Sequence, residues 1–137
     1  MLNFLLDTNI VIYVIKAKPA PVAAVFNRHH GRMAISSITL AEFFHGAHKS
    51  SNPSKNLSLI EDFCSRLTVL PYTEKAAEHY GNIRAELERK RTTIGVNDLH
   101  IAAHARSEGL IVVTNNAGEF ERVSGLRIEN WVTDTQL

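Results

Sequence analysis

Four acidic residues stand where acids are expensive. Asp7 ends a short apolar segment, Glu42 runs into Phe43 and Phe44, Asp98 opens the stretch holding Leu99, Ile101, Ala102, Ala103 and Ala105, and Glu119 precedes Phe120. An unpaired carboxylate in such surroundings is heavily penalised by desolvation. Carboxylates buried together either keep protons or share a cation. Oxygen donors alone select hard ions, which makes Mg²⁺ the first choice and Mn²⁺ the second. Such ions activate water for in-line attack on phosphorus and stabilise the leaving oxygen. The predicted chemistry is therefore phosphodiester hydrolysis. Each acid also has a purely structural reading. Asp7 suits a helix cap before Thr8. Glu42 stands at capping-box spacing from Thr39. Asp98 suits a helix N-terminus, and Glu119 taken singly suits a surface.

The elements that must position these acids follow from pattern and punctuation. Strands are predicted over 2–6, 32–35, 67–70, 110–113 and 126–128. Helices are predicted over 8–16, from Pro19 toward Asn27, up to about His48 behind the caps Ser36, Ser37 or Thr39, from Pro53 to about Arg66, and over 73–90. The long helix carries Ala76, Tyr80, Ile83 and Leu87 on one face. After a loop over 92–96, Asn97 is expected to cap a helix over 98–107 that Gly109 closes, and a short helix covers 116–122. Strands alternating with helices predict an α/β fold with a mostly parallel sheet. In such sheets ligands bind beyond the carboxyl ends of the strands, where the strand order reverses. Asp7 lies just past the first strand, and Thr114, Asn115 and Asn116 lie just past the fourth. With those strands as central neighbours, all four acids can reach one mouth.

Length and composition narrow the classes. The chain has 137 residues, 45% apolar and 21% charged, which suits one soluble globular domain. No charge-free stretch approaches the ~18 residues that cross a bilayer. Asp7 interrupts any signal-peptide core, and a single cysteine, Cys64, excludes a disulfide framework. The expected setting is the cytoplasm, and the expected role of Cys64 is a small buried hydrophobe. The formal net charge is only +1. Setting the four acids aside leaves +5 on the rest, a mildly basic surface around an acidic hole that suits a polyanion.

Four motifs carry a resemblance. Leu5-Leu6-Asp7-Thr8-Asn9, Ile35-Ser36-Ser37-Ile38-Thr39-Leu40-Ala41-Glu42, Ile94-Gly95-Val96-Asn97-Asp98-Leu99-His100-Ile101-Ala102-Ala103-His104-Ala105 and Val113-Thr114-Asn115-Asn116-Ala117-Gly118-Glu119-Phe120 occur in this order. Together they resemble the PIN-domain ribonucleases, and more closely the VapC-type toxins of bacterial toxin–antitoxin pairs. The resemblance covers residues 1 to 131 as one PIN domain and leaves 132–137 as a C-terminal tail. It implies a three-layer α/β/α fold with a five-stranded parallel sheet in the order 3-2-1-4-5. It also implies a Mg²⁺-dependent endoribonuclease. Asp7 and Asp98 would bind the metal, Glu42 would complete the acidic triad and Glu119 would be the fourth catalytic acid. Thr114 and Asn116 would position substrate or water. A homodimer and a cognate VapB-type antitoxin are implied, with DNA bound only through the antitoxin complex. The implied substrate is structured RNA, including tRNA anticodon stem-loops such as that of the initiator tRNA. There are departures. Many relatives have aspartate in place of Asn116, and glycine and proline in place of Arg91 and Thr93, which makes this loop more basic.

Other residues have competing readings. Arg84, Arg89, Lys90 and Arg91 either complement a helix C-terminus or grip RNA phosphates. His100 and His104 are four apart, but without a glutamate after the first histidine the zinc-protease pattern is absent. His45 and His48 read as surface residues. The apolar set Val11, Ile12, Tyr13, Val14 and Ile15 reads as core, with a dimer or antitoxin contact as the alternative. A phosphoacceptor receiver domain would need paired acids after the first strand and a late lysine, yet Asp7 stands alone and the last lysine is Lys90. The functional rival is a non-catalytic protein of the same fold that works as a DNA-binding corepressor with its antitoxin.

Overall fold

The computed structural model describes residues 1–16 and 20–132. The elements run β1 (Phe4–Leu6), α1 (Thr8–Lys16), α2 (Ala20–Arg28), β2 (Met33–Ser36), α3 (Ser37–His48), α4 (Pro53–Cys64), β3 (Thr68–Leu70), α5 (Glu74–Arg89), α6 (Val96–Glu108), β4 (Ile111–Val113), α7 (Ala117–Phe120) and β5 (Ile128–Glu129). The strands form one parallel sheet in the order β3-β2-β1-β4-β5. The order reverses between β1 and β4, where Leu6 is in register with Val113.

Strand alternation sends side chains to two layers. Leu5 faces a core built with Ile83, Leu87, Leu99, Ile101 and Phe120, under α5 and α6. Phe4 and Leu6 face the opposite core, with Ile10, Phe26, Phe63 and Trp131 from α1, α2, α4 and the chain's end. Helices thus cover both faces, which explains why the strands read as unbroken apolar runs. Among the described residues no helix is long and apolar enough to cross a membrane.

Local chemistry fixes the helix ends. Of the three candidate caps for α3, Ser36 serves, its Oγ accepting the N–H of Ile38 at 3.1 Å. Asn52 and Thr73 cap α4 and α5 in the same way, through the N–H groups of Lys55 and Ala76. At the end of α6 the N–H of Leu110 bonds the carbonyl of Ala105 and that of Gly109 bonds Arg106, with Gly109 left-handed at φ +67°. The end of α5 makes the same pair of bonds, Thr92 to Leu87 and Arg91 to Glu88, but the left-handed residue is Arg91 at φ +56°.

Several boundaries differ from expectation. Asn97 does not cap α6. The helix begins at Val96 behind Gly95, whose carbonyl accepts the N–H of Leu99, and no side-chain cap bond forms. The second and fifth strands sit later than expected, because pairing sets their ends: Ser36 with Leu70, and Glu129 with Val113. The first strand is shorter, although Asn3 already bonds Arg32 and Ile111 through its backbone. The short helix after Asn116 covers only Ala117–Phe120. Pro19, the expected start of the second helix, lies outside the described residues. So does the expected tail beyond Val132.

Candidate active site

Asp7 follows β1 directly, and its own N–H bonds the carbonyl of Val113 on β4. Its carboxylate is buried and accepts the Thr114 hydroxyl at 2.6 Å. The amides of Thr8 and Asn9 also donate to it. Asp7 therefore caps α1 and at the same time stands beside the sheet's switch point. Thr114 is fully buried, and its Oγ1 in turn accepts the N–H of Asn116 at 2.9 Å. The Asn116 side-chain amide donates to Oε2 of Glu119 at 3.0 Å. Glu119 shares a hydrogen bond with Asp98. One chain of hydrogen bonds thus runs from Asp7 through Thr114, Asn116 and Glu119 to Asp98.

Glu42 enters from the other side. It lies on the second turn of α3, and its Oε1 accepts the Thr8 hydroxyl at 3.2 Å. The capping-box reading fails, because Ser36 supplies the cap and the buried Thr39 hydroxyl has no hydrogen-bond partner among the described residues. Four elements therefore carry one acid each close enough for Asp7, Glu42 and Glu119 all to act on the charge of Asp98.

The electrostatics record this crowding. Asp98 is pushed up from the usual carboxylate range to about 7, first by burial, then by its hydrogen bond with Glu119, then by the charges of Asp7, Glu119 and Glu42. Burial also raises the Asp7 carboxyl, and the charge of Glu119 adds to this. The Thr114 hydroxyl and the Thr8 and Asn9 amides oppose the rise. The donor set is all oxygen. Among the described residues no three acid, imidazole or thiol side chains are gathered into a ready-made metal shell.

A parallel sheet in this order with acids at its reversal defines a class. Residues 4–126 match the family model described as PIN domain. Ribonuclease VapC2 of Haemophilus influenzae is 60% identical over 132 residues, spanning 96% of this chain and 100% of that protein. The tRNA(fMet)-specific endonuclease VapC of Shigella flexneri is 57% identical over 131 residues, spanning 96% and 99%. The crystal structure of DNA-bound VapBC from Salmonella typhimurium aligns with a TM-score of 0.91 at 56% identity, covering 96% of this chain and 99% of that one. The chain belongs to the PIN-domain family and, within it, to the VapC ribonucleases; it is a nuclease.

The remaining candidates separate cleanly. His100 bonds the Tyr72 hydroxyl at 2.9 Å and His104 bonds Ser36 Oγ at 2.8 Å, so the two rings are engaged with different partners. His45 and His48 are exposed. Val11 and Val14 are core, while Ile12 is 39% exposed and lines a groove with Ile15, Phe43 and Leu59. Cys64 is free and half-buried. Sequence reasoning missed Thr8 as the residue that holds Glu42. It also missed the bond between Asn115 and the Tyr13 hydroxyl, 3.2 Å long, which joins the β4 tip to α1. The signal was present in Thr8, a hydroxyl immediately after the first acid.

Proposed function

We propose that this protein is the toxic member of a toxin–antitoxin pair and acts as a Mg²⁺-dependent endoribonuclease on tRNA. The observation that carries the reading is the meeting of Asp7, Glu42, Asp98 and Glu119, with Asp98 driven to hold a proton near neutrality. A carboxyl protonated by its neighbours' repulsion is where a divalent cation gains most, since the cation replaces the proton and relieves the repulsion. The oxygen-only donors suit Mg²⁺, with Mn²⁺ as a substitute.

Asp7 and Asp98 would hold the ion, with Glu42 and Glu119 completing the ring. The chemistry that Mg²⁺ supplies when bound is activation of water and neutralisation of charge on the reacting phosphate. The rest falls to the chain. Thr114 fixes the rotamer of Asp7, Asn116 fixes Glu119 and Thr8 fixes Glu42. Such supporting bonds hold ligands near productive geometry.

The named relatives support the substrate and the partners. The Shigella flexneri protein is a tRNA(fMet)-specific endonuclease. We read the initiator tRNA, cut at its anticodon stem-loop in the cytoplasm, as the target here too. The Salmonella typhimurium structure and one from Rickettsia felis are DNA-bound VapBC complexes. They support a DNA-binding complex with a VapB-type antitoxin, which we take to be built around a toxin dimer with the antitoxin making the DNA contact. The apolar groove of about 380 Å³ formed by Ile12, Ile15, Phe43, Leu59 and Ile60 abuts Thr8 and Glu42. An antitoxin segment laid there would cover Glu42 and Thr8.

The test is to incubate the purified protein with total bacterial RNA, with Mg²⁺ or with EDTA, beside Asp98→Ala. New 5′ ends in initiator tRNA that require Mg²⁺ and vanish in the variant are expected. Cutting that persists in Asp98→Ala or in EDTA overturns the reading. Binding without any cutting favours the corepressor role instead.

A further inference from the structure

Arg91 is the one non-glycine residue with positive φ among the described residues. It stands at the left-handed position of a helix end whose two bonds α6 repeats with Gly109. Side chains are disfavoured in that conformation, and glycine is the ordinary occupant. An arginine there is a local cost with no local return. Of the basic residues near it, Arg84 pairs with Glu88 at 3.3 Å and Lys90 with Glu86 at 3.1 Å, while Arg89 is exposed but sits within α5 in ordinary helical backbone. The Arg91 side chain is exposed and makes no hydrogen bond or ion pair among the described residues. Packing and pairing therefore do not account for it.

Its place in the fold does. Arg91 begins the segment that leads to Asp98. The carbonyl of Thr93 is held at 3.0 Å by Arg122, three residues beyond Glu119. A Cβ on Gly95 would lie 3.6 Å from Oδ2 of Asp98. The segment is thus a lip of the acid site, tied to the element that carries Glu119. Arg91 and Gly95 are four positions apart, a span of at most about 14 Å. The guanidinium therefore belongs to the segment that borders the acids.

We infer that Arg91 is a substrate-positioning residue, its guanidinium held out at the lip of the site to take a backbone phosphate of the RNA. This rests on the proposed ribonuclease reading. Phosphate contacts fix register and orientation without reading bases, and arginine suits them through its fork of donors. The strained backbone is tolerated because it sets the side chain at the rim instead of along the helix.

The experiment is steady-state cleavage of a tRNA substrate by the wild type, Arg91→Gly, Arg91→Asn and Arg91→Lys at several salt concentrations, with thermal melting of each. Arg91→Gly is expected to melt about 2–5 °C higher, because glycine relieves the left-handed strain. Its KM is expected to rise roughly three- to ten-fold with kcat held, the loss of one charge-assisted phosphate contact. The slope of log(kcat/KM) against log[salt] should flatten by roughly 0.7–0.9. Arg91→Asn, which tolerates the same backbone without the charge, should show the same kinetic loss. Arg91→Lys should keep KM within about two-fold of the wild type. Unchanged KM and salt slope in both Arg91→Gly and Arg91→Asn, while the wild type cuts, overturns this inference alone. A wild type that cuts no RNA overturns the ribonuclease reading and this inference with it.

Discussion

Replacing Asp98 with asparagine should make the cation-free protein more stable at alkaline pH, even as it abolishes cutting. The Asp98 carboxyl is raised from 3.8 to about 7 in the folded state. Because the folded-state value lies above the unfolded one, the folded form binds the proton more tightly. Stability is fully present below about pH 4 and is lost as pH rises through 7. A rise of that size corresponds to about 4 kcal/mol for a fully buried group. Asp98 is only half-buried, and solvent screening reduces this to about 1–2 kcal/mol. Asparagine carries no charge at any of these pH values, and its amide can still donate to Glu119. At pH 8 in EDTA, Asp98→Asn should therefore melt about 3–8 °C above the wild type. At pH 5 the gap should shrink to roughly a third, since the proton then offsets most of the repulsion. Added Mg²⁺ should raise the wild type far more than the variant. Thermal denaturation followed by circular dichroism measures all of this. A variant less stable than the wild type at pH 8, or a gap independent of pH, refutes the argument that these carboxylates crowd one another.

Three further outcomes follow from the same geometry. Thr114→Val removes the hydroxyl that opposes the rise of the Asp7 carboxyl, so the Mg²⁺ concentration for half-maximal cleavage should increase about 10–100-fold; an unchanged Mg²⁺ titration contradicts the role given to Thr114. Burial lowers the His104 imidazole from its ordinary 6.5, so its contribution to stability is present above 6.5 and lost as pH falls through the lowered value. His104→Gln should accordingly lose less melting temperature than the wild type between pH 7 and 5, and parallel curves would exclude His104 as a source of the acid limb. Thr8→Val releases Glu42 from the hydroxyl that holds it, and kcat should fall by about ten-fold with the fold intact, checked by cleavage rates beside a melting curve.

The sheet was legible because its central strands, β2, β1 and β4, are buried on both faces. A run such as Val112–Val113 has nothing polar to alternate with, and the intervening helices leave only a parallel arrangement. The convergence of Asp7 with the tip of the fourth strand was legible from topology alone. What escaped was set by contacts between distant segments. The start of α6 depended on the carbonyl of Gly95 rather than on the side chain of Asn97, so the residue type misled. The ends of β2 and β5 depended on partners in β3 and β4, which no local window contains. Glu42 looked like half of a capping box because Thr39 stands at the right spacing, and only the Ser36 bond decides otherwise. The support given by Thr8 was hidden because its partner lies 34 residues away.

The bond between Thr114 and Asp7 spans 107 positions of the chain. The two residues meet only after the whole stretch between them has been made, so in a growing polypeptide Asp7 waits through α6 and β4 for the hydroxyl that holds its carboxylate.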